Sequence, residues 1–378
     1  MDSTNTSSQT SERKKSCVNC GAELTYEPGT DLITCDYCGH QESINQSEQL
    51  FKELELHKYL QEMGAQSHSM EISMLHCKNC GANQHVEESY KSLHCVYCTM
   101  PLIIEDSYQE DWIVPGAVLP FQLDQKKAHL VFKKWVDGLW WAPNNLQRAT
   151  INPEFTKGLY VPYWTFDAQL VADYEGQRGD YYYVTKTVGS GKNKRTVQER
   201  RTSWSPTEGT INGFVDDTLV KATKQRGSQI PREVSNWNLD GLKNFDTKYL
   251  AGYVTEKYTI PLKDGHLEAS KEAEKIAQNW IRRDIGGDTQ RISAMDMRLS
   301  EETFKHILLP VYISSYNFNG TKYNFLLTVR QVLSMGNDRI RFGKYSWQFW
   351  QRLSPLCLLQ WWHNMLVSSL SRKRRKKA

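Results

Sequence analysis

The chain shows no N-terminal apolar stretch: residues 1–10 are polar and nothing hydrophobic follows Lys14 and Lys15, so no secretory leader is read. It also lacks any run of 18 apolar residues, and no membrane-spanning helix is expected from it as written. Together these give the expectation of a cytoplasmic protein. A complete phosphate-binding loop is missing, because Gly189-Ser190-Gly191-Lys192 lacks the first glycine and the Ser/Thr after the lysine; a hairpin tip is the simpler reading. No HExxH, Cys/His or Ser/His/Asp arrangement stands out, so a protein that is not an enzyme is expected. Strong net charge is lacking as well. The whole chain carries +4, but residues 328–378 hold eleven Lys/Arg against one acid, Asp338, which leaves residues 1–327 at −6. Composition therefore gives no reason to expect a basic nucleic-acid surface on the folded part.

What is present is a globular balance of 39% hydrophobic and 24% charged residues, with an 11% aromatic share that favours half-buried β surface. Eight of the nine cysteines form two blocks. Cys17-x-x-Cys20 is followed after fourteen residues by Cys35-x-x-Cys38, and Cys77-x-x-Cys80 after fourteen more by Cys95-x-x-Cys98. The surroundings recur too: Cys20-Gly21-Ala22 matches Cys80-Gly81-Ala82, and Tyr37-Cys38 matches Tyr97-Cys98, which reads as an internal duplication. Two residues between cysteines let both sulfurs of a tight turn face one metal, and two such turns complete a tetrahedral site with bonds of about 2.3 Å. Gly21, Gly39 and Gly81 follow the second cysteine and supply a left-handed turn position; Thr99 stands there in the fourth turn. A disulfide framework needs an oxidising compartment, and a redox Cys-x-x-Cys normally stands alone. Iron in a four-sulfur site stays open from the ligands alone. Two structural Zn2+ ions are the expectation. Each ribbon of about 25–30 residues is too small to fold without such help.

Along the chain, residues 1–15 read as a disordered tail, 16–45 as zinc ribbon 1, 46–72 as a connecting helix and 73–105 as zinc ribbon 2. Residues 110–327 read as an α+β body and 328–378 as a basic tail. The connecting helix is expected between Ser47 and Gly64. A second helix is expected over 124–139, capped by Asp124, with Ala128, Val131, Phe132, Trp135 and Leu139 on one face and Pro143-Asn144-Asn145 beyond it. Strand-like runs cover 158–167, 181–188, 200–204, 210–214 and 253–261. A helix follows at 271–283, and a hairpin pairs 307–315 with 322–327 around Phe318-Asn319-Gly320. The fold class is α+β: two small four-cysteine zinc ribbons followed by a mainly antiparallel-sheet body with a few helices.

Outside the cysteines, Arg283, Asp284, Gly286, Gly287 and Asp288 form a candidate ligand loop, for which a glycine helix cap with a charged turn is the plainer reading. Asp216 and Asp217 point to opposite faces of a regular strand and cannot converge on a cation without a turn. His129 and His306 are isolated and read as core or surface residues.

Two four-cysteine ribbons followed by Leu119-Pro120-Phe121, Trp140-Trp141-Ala142-Pro143-Asn144, Tyr160-Val161-Pro162-Tyr163-Trp164, Phe214-Val215-Asp216-Asp217, Arg283-Asp284-Ile285-Gly286-Gly287-Asp288 and Thr303-Phe304-Lys305-His306 resemble a bacterial family. It is named for a transcription-factor-IIB-type zinc ribbon, and some of its members carry the name primosomal helicase N′. The resemblance covers roughly residues 14–327. It implies zinc at Cys17, Cys20, Cys35, Cys38, Cys77, Cys80, Cys95 and Cys98, no catalytic residue, and a membrane anchor after the last strand at the inner face of the membrane. This chain departs from that pattern after Leu327. Back-translation with a shift of one nucleotide restores a family-like glycine-rich run followed by apolar residues, so the tail reads as a frameshifted replacement of the anchor.

The resulting expectation is a non-enzymatic zinc-binding platform for an unidentified protein partner. Nucleic-acid binding through the ribbons is the alternative, weakened because residues 12–104 hold seven cations (Arg13, Lys14, Lys15, Lys52, Lys58, Lys78, Lys91) and more acids. An enzyme would require Asp217, Asp284, Asp288 and His306 in one pocket.

Overall fold

The computed structural model describes residues 16–46, 51, 53–62, 69–85, 93–97, 100–102, 108–137, 156–189, 191, 194–224, 237–318 and 321–328. The chain divides into two units, Met1–Arg330 and Gln331–Ala378, and every described residue lies in the first. The expected tails at 1–15 and 328–378, apart from Thr328, and the 143–145 stop therefore fall outside the described residues.

The N-terminal part is a set of short strands. β1 (Leu24–Glu27), β2 (Leu32–Cys35) and β3 (Gln41–Ser43) form a three-stranded antiparallel sheet. β4 (Leu54–Glu55) leads directly into helix α1 (Leu56–Glu62), after which come β5 (Ser69–His76), β6 (Asn83–His85), β7 (Leu93–His94), β8 (Pro101–Leu102), β9 (Tyr108–Ile113) and β10 (Ala117–Val118). Helix α2 (Gln125–Asp137) begins one residue after the expected cap, and the Asp124 carboxylate accepts the Lys127 amide at 2.7 Å. The helix expected between Ser47 and Gly64 is shorter. Leu54 and Glu55 pair with Phe304 and Thr303 instead, and Leu56, Tyr59 and Leu60 pack with Trp164 and Phe304 of the body.

The body is built on three strands of unusual length. β11 (Thr156–Val188) has 33 residues, β12 (Arg195–Lys221) has 27 and, beyond β13 (Lys243–Asn244), a 3-10 turn at Thr247–Leu250, β14 (Val254–Glu256) and helix α3 (Leu262–Ile285), β15 (Thr289–Phe318) has 30. β16 (Thr321–Thr328) closes the hairpin expected around Asn319-Gly320, with Phe318 opposite Thr321. β11 lies between β12 and β15, antiparallel to both. Runs that read as separate short strands are thus parts of continuous ones. Gly176 and Gly179 lie between the runs expected at 158–167 and 181–188, but the ladder runs through them, absorbing irregularity in bulges at Phe166/Ala168, Asp167/Gln169 and Glu175/Gly176.

Helix α3 explains some of the glycines. Its buried stripe is Gly265, Ala269, Ala273, Ala277, Ile281 and Ile285, spaced by four, and it lies on Leu170, Ala172, Tyr174, Ile211 and Val215 of the long strands. Small residues let the helix axis approach the sheet closely. A Cβ on Gly265 would stand 2.6 Å from Cδ1 of the fully buried Trp164, whose indole donates to the Ile260 carbonyl at 3.0 Å.

Both cysteine-bearing segments are joined to the body. Tyr26 of β1 donates its amide to the Ala251 carbonyl at 3.1 Å, and its ring meets Tyr249 edge-on at 5.2 Å. β6 pairs with β14, placing Gln84 opposite Glu256, so the second cysteine hairpin is part of the large sheet.

Alanine at an interior helical glycine ordinarily stabilises by up to about 1 kcal/mol. Gly265→Ala is expected instead to destabilise by about 1–3 kcal/mol, because the added methyl overpacks against Trp164. Leu267→Ala, on the exposed side of the same helix, should change stability by less than about 0.5 kcal/mol. Urea unfolding of the two variants checks both values.

Candidate metal centres

The first cluster grows from two turns of identical bonding. Ahead of β1, the Cys17 amide donates to the Ala22 carbonyl at 2.7 Å and the Gly21 amide to the Cys17 carbonyl at 2.8 Å. After β2, Cys35 donates to His40 at 2.8 Å and Gly39 to Cys35 at 2.9 Å. Gly21 and Gly39 take φ of 72° and 74°, the left-handed position that the turn needs. The four sulfurs converge. Cys17 and Cys38 stand 3.4 Å apart, Cys20 and Cys35 3.5 Å, and all four lie within 4.8 Å of one another. A tetrahedron of sulfurs with bonds of about 2.3 Å has edges of roughly 3.8 Å, so the arrangement fits a four-sulfur metal site. The Cys38 and Tyr37 amides, directed at Cys35, hold its thiol down, while the neighbouring sulfurs push the Cys38 thiol up, so one proton-poor sulfur is shared among the set.

The second cluster repeats these bonds. Cys77 donates to Ala82 and Gly81 to Cys77, both at 2.8 Å, and Cys95 donates to Met100 at 2.8 Å. Cys77, Cys80 and Cys95 come together, with Cys80 and Cys95 3.5 Å apart. Cys98 and Thr99 lie outside the described residues.

The two clusters differ in what their turns display. Val18 and Tyr37 in the first are 76% and 85% exposed, whereas Val96 and Tyr97 in the second are 3% and 5% exposed. Tyr97 donates at 2.6 Å to Glu256, a fully buried carboxyl that also accepts from the Thr223 hydroxyl. Burial pushes Glu256 up to about 7, against the lowering effect of these hydrogen bonds and of Lys221. Nothing in the sequence around Glu256 marks it, since its partners come from distant segments.

A second gathering of charge sits where both neighbours of β11 bulge. Asp167, Asp216 and Asp217 bring carboxylate oxygens within 4.8 Å of one another. Asp217 has φ of 47°, and its bulge supplies the turn that a regular strand would deny. The Asp217 amide donates to Asp167 at 2.5 Å, and Lys305 donates to Asp217 at 2.9 Å and to Glu53 at 3.0 Å. Asp167 is almost fully buried, and burial pushes it up to about 7 although the Asp217 amide and Lys305 pull it down. Burial would lower Lys305, but its hydrogen bonds to Asp217 and Glu53 raise it well above an ordinary lysine. An ammonium already occupies the centre of this cluster, which therefore reads as an ion-pair joint.

The remaining sequence-derived residues are dispersed. Gly286 caps α3 through the Arg282 carbonyl at 3.2 Å, and Gly286 and Gly287 take φ of 65° and 72°. Asp288 donates its amide to the Gly179 carbonyl at 2.9 Å and accepts the Tyr181 amide at 2.7 Å, while Asp284 accepts from Tyr174 at 2.5 Å. The 283–288 loop thus ties the helix end to β11. Tyr174 is seven residues from Asp167 along that strand, roughly 23 Å. His306 lies elsewhere, boxed by Trp112, Trp164 and Tyr258, with Nδ1 donating to the Ile113 carbonyl at 2.7 Å; burial pushes it down to about 4. The pocket holding Asp217, Asp284, Asp288 and His306 together is not formed. His129 contacts Thr156 at 3.2 Å.

Comparison with known proteins adds one relative. The chain is 24% identical over 346 residues, 87% of its length and 91% of the other, to the uncharacterized protein YdjG of Bacillus subtilis (strain 168). No family profile matches it, and no solved structure matches it. Among the described residues no helix is long and apolar enough to cross a membrane.

Glu256 sets a pH dependence. An unfolded glutamate titrates near 4.3, so a folded value of about 7 means that the native state binds the proton more tightly. Its contribution to stability is complete below the unfolded value and is lost as pH rises through about 7. Glu256→Gln mimics the protonated acid. The stability of this variant relative to the parent should rise by on the order of 2 kcal/mol between about pH 5.5 and 8, measured by denaturant unfolding. A flat difference would contradict the assignment.

Proposed function

We propose that each cysteine cluster holds one structural zinc ion and that the chain is a non-enzymatic platform for a protein partner, contacted through the tip of the first ribbon. Both parts rest on the clusters themselves. An all-sulfur donor set with no open position suits a metal that shapes the chain and leaves no place for a reacting water. The observation that carries the interaction reading is the difference between the two tips. The second buries its Val96-Tyr97 pair against the body, while the first leaves Val18 and Tyr37 bare beside a rigid metal turn. Exposed apolar side chains, one of them aromatic, on the two turns of one stiff support are what a protein contact uses at low entropic cost.

The motif order supports kinship with the bacterial proteins that carry a transcription-factor-IIB-type ribbon. On that reading the chain is cytoplasmic, and the relatives present the same body at the inner face of the membrane.

Elemental analysis of the purified protein should give two moles of zinc per mole and no iron-type visible absorption. Cys35→Ser should retain one mole and lose the first ribbon's share of the fold, since metal binding in such peptides amounts to about 10–16 kcal/mol. Tyr37→Ala should keep both metals and its melting temperature. A photocrosslinking residue at position 37 should form a discrete protein adduct in cells, and one at the exposed Leu267 should not; absence of an adduct at 37 would remove the platform reading while leaving the metal assignment standing.

A further inference from the structure

The far end of the β11–β12 hairpin stands apart from everything above. β15 leaves β11 at Gly179, opposite Thr289, and beyond it residues 180–188 pair only with 195–203 among the described strands. This is a two-stranded arm nine residues long, roughly 30 Å. Its side chains are exposed or half-buried on both faces, so the arm contributes no core. Such an extension needs a reason beyond folding, because an isolated two-stranded ribbon is marginal in water.

The register sorts its residues into two unlike faces. Tyr181, Tyr183, Thr185 and Thr187 stand opposite Thr202, Arg200, Gln198 and Thr196. Every one of these eight can hydrogen-bond, and none is a carboxylate. Arg200 covers the Tyr181 ring at 4.3 Å, and Tyr183 is 64% exposed. The opposite face carries Tyr182, Val184, Lys186 and Val188 against Arg201, Glu199, Val197 and Arg195. Across the described arm and its tip, Lys186, Lys194, Arg195, Arg200 and Arg201 outnumber Asp180 and Glu199 by three. This positive arm extends from a chain whose first 327 residues net −6.

We propose that this arm binds double-stranded nucleic acid, laying its Thr/Gln/Arg face into the major groove of a DNA duplex. A two-stranded β-ribbon matches the width of that groove, about 12 Å, and arginine and glutamine are the side chains that pair bidentately with guanine and adenine there. Lys186, Arg195 and Arg201 stand on the opposite face and Lys194 at the tip, from where their long side chains reach around the ribbon to the phosphates that flank the groove. Within residues 1–327 the acidic remainder is repelled by the same polyanion, which confines the contact there to the arm, and the arm variants separate its share from that of the basic residues 328–378. An anionic bilayer fits less well. The face with the valines has Glu199 at its middle, 3.7 Å from Lys186 and 3.6 Å from Arg201, and a carboxylate there opposes insertion among lipids. The proposal is independent of the metals and of the first ribbon's tip.

The test is fluorescence anisotropy of the full metal-loaded chain with a labelled random-sequence DNA duplex of about 24 base pairs, one or two helical turns longer than the arm. Binding should appear at about 50 mM salt and weaken with a log–log salt slope of roughly −3 to −5, as expected for four or five phosphate contacts. Arg195→Ala with Arg201→Ala should reduce that slope by about two at unchanged melting temperature, because both side chains are exposed. Gln198→Ala with Arg200→Ala should weaken binding at least about tenfold. Methyl green, which occupies the major groove, should compete, and the minor-groove ligand netropsin should not. No shift at low salt, an undiminished shift in the arm variants, tighter binding to the single strand, or binding to anionic vesicles in place of duplex would each overturn the proposal.

Discussion

Sulfur atoms 3.4 and 3.5 Å apart are in contact, and four thiolates at that spacing repel one another unless a cation sits among them. The N-terminal strands are placed by the turns that bring these sulfurs together. Cys17 and Cys35 share a core with Tyr160, Tyr249 and Leu308 of the body, and Cys77 and Cys95 share another with Leu159, Ile307 and Leu309. The cysteine turns therefore act as fixed corners from which short strands reach into a large sheet. A segment with few apolar residues of its own gains a place in a core that belongs to another part of the chain.

Recurrent local chemistry is put to two uses. The same turn, with the same tyrosine before its last cysteine, faces solvent in one copy and a buried glutamate in the other. What decides is the neighbour: β6 joins β14 and brings Glu256 beneath Tyr97, whereas the sheet of β1 to β3 stays separate and meets the body through Tyr26 and Gly29. The charge joint at Asp167 follows a similar logic. Two bulges at one level of a three-stranded ladder turn carboxylates inward, and Lys305 holds them together.

The cysteine sites were legible because their information is local: spacing and a following glycine specify a turn without reference to the rest of the chain. Helix α2 and the Asn319-Gly320 hairpin were legible for the same reason, through Asp124 and a two-residue loop. The long strands were not. Gly176 and Gly179 carry the usual marks of turns, yet their roles are set by what packs over them, such as Ile285 and Arg291 against Gly176. Of the helix expected over 47–64, Leu54 and Glu55 are taken by strand pairing with β15, and the described helix begins at Leu56. Glu256, Asp167 and Lys305 are assembled from segments more than a hundred residues apart in part, and no spacing rule reaches that far.

One uninterrupted strand, β11, runs from Tyr160 in the deepest aromatic core, past the buried Asp167, to the bare end at Val188. Pulling on that outer end loads the ladder lengthwise, so the hydrogen bonds to β12 and β15 resist together in shear and do not peel one at a time. The molecule thereby possesses a stiff lever whose fulcrum is its own interior, and torque applied far out is felt first at the irregularity beside Gly176 and then at the pair of bulges around Asp167.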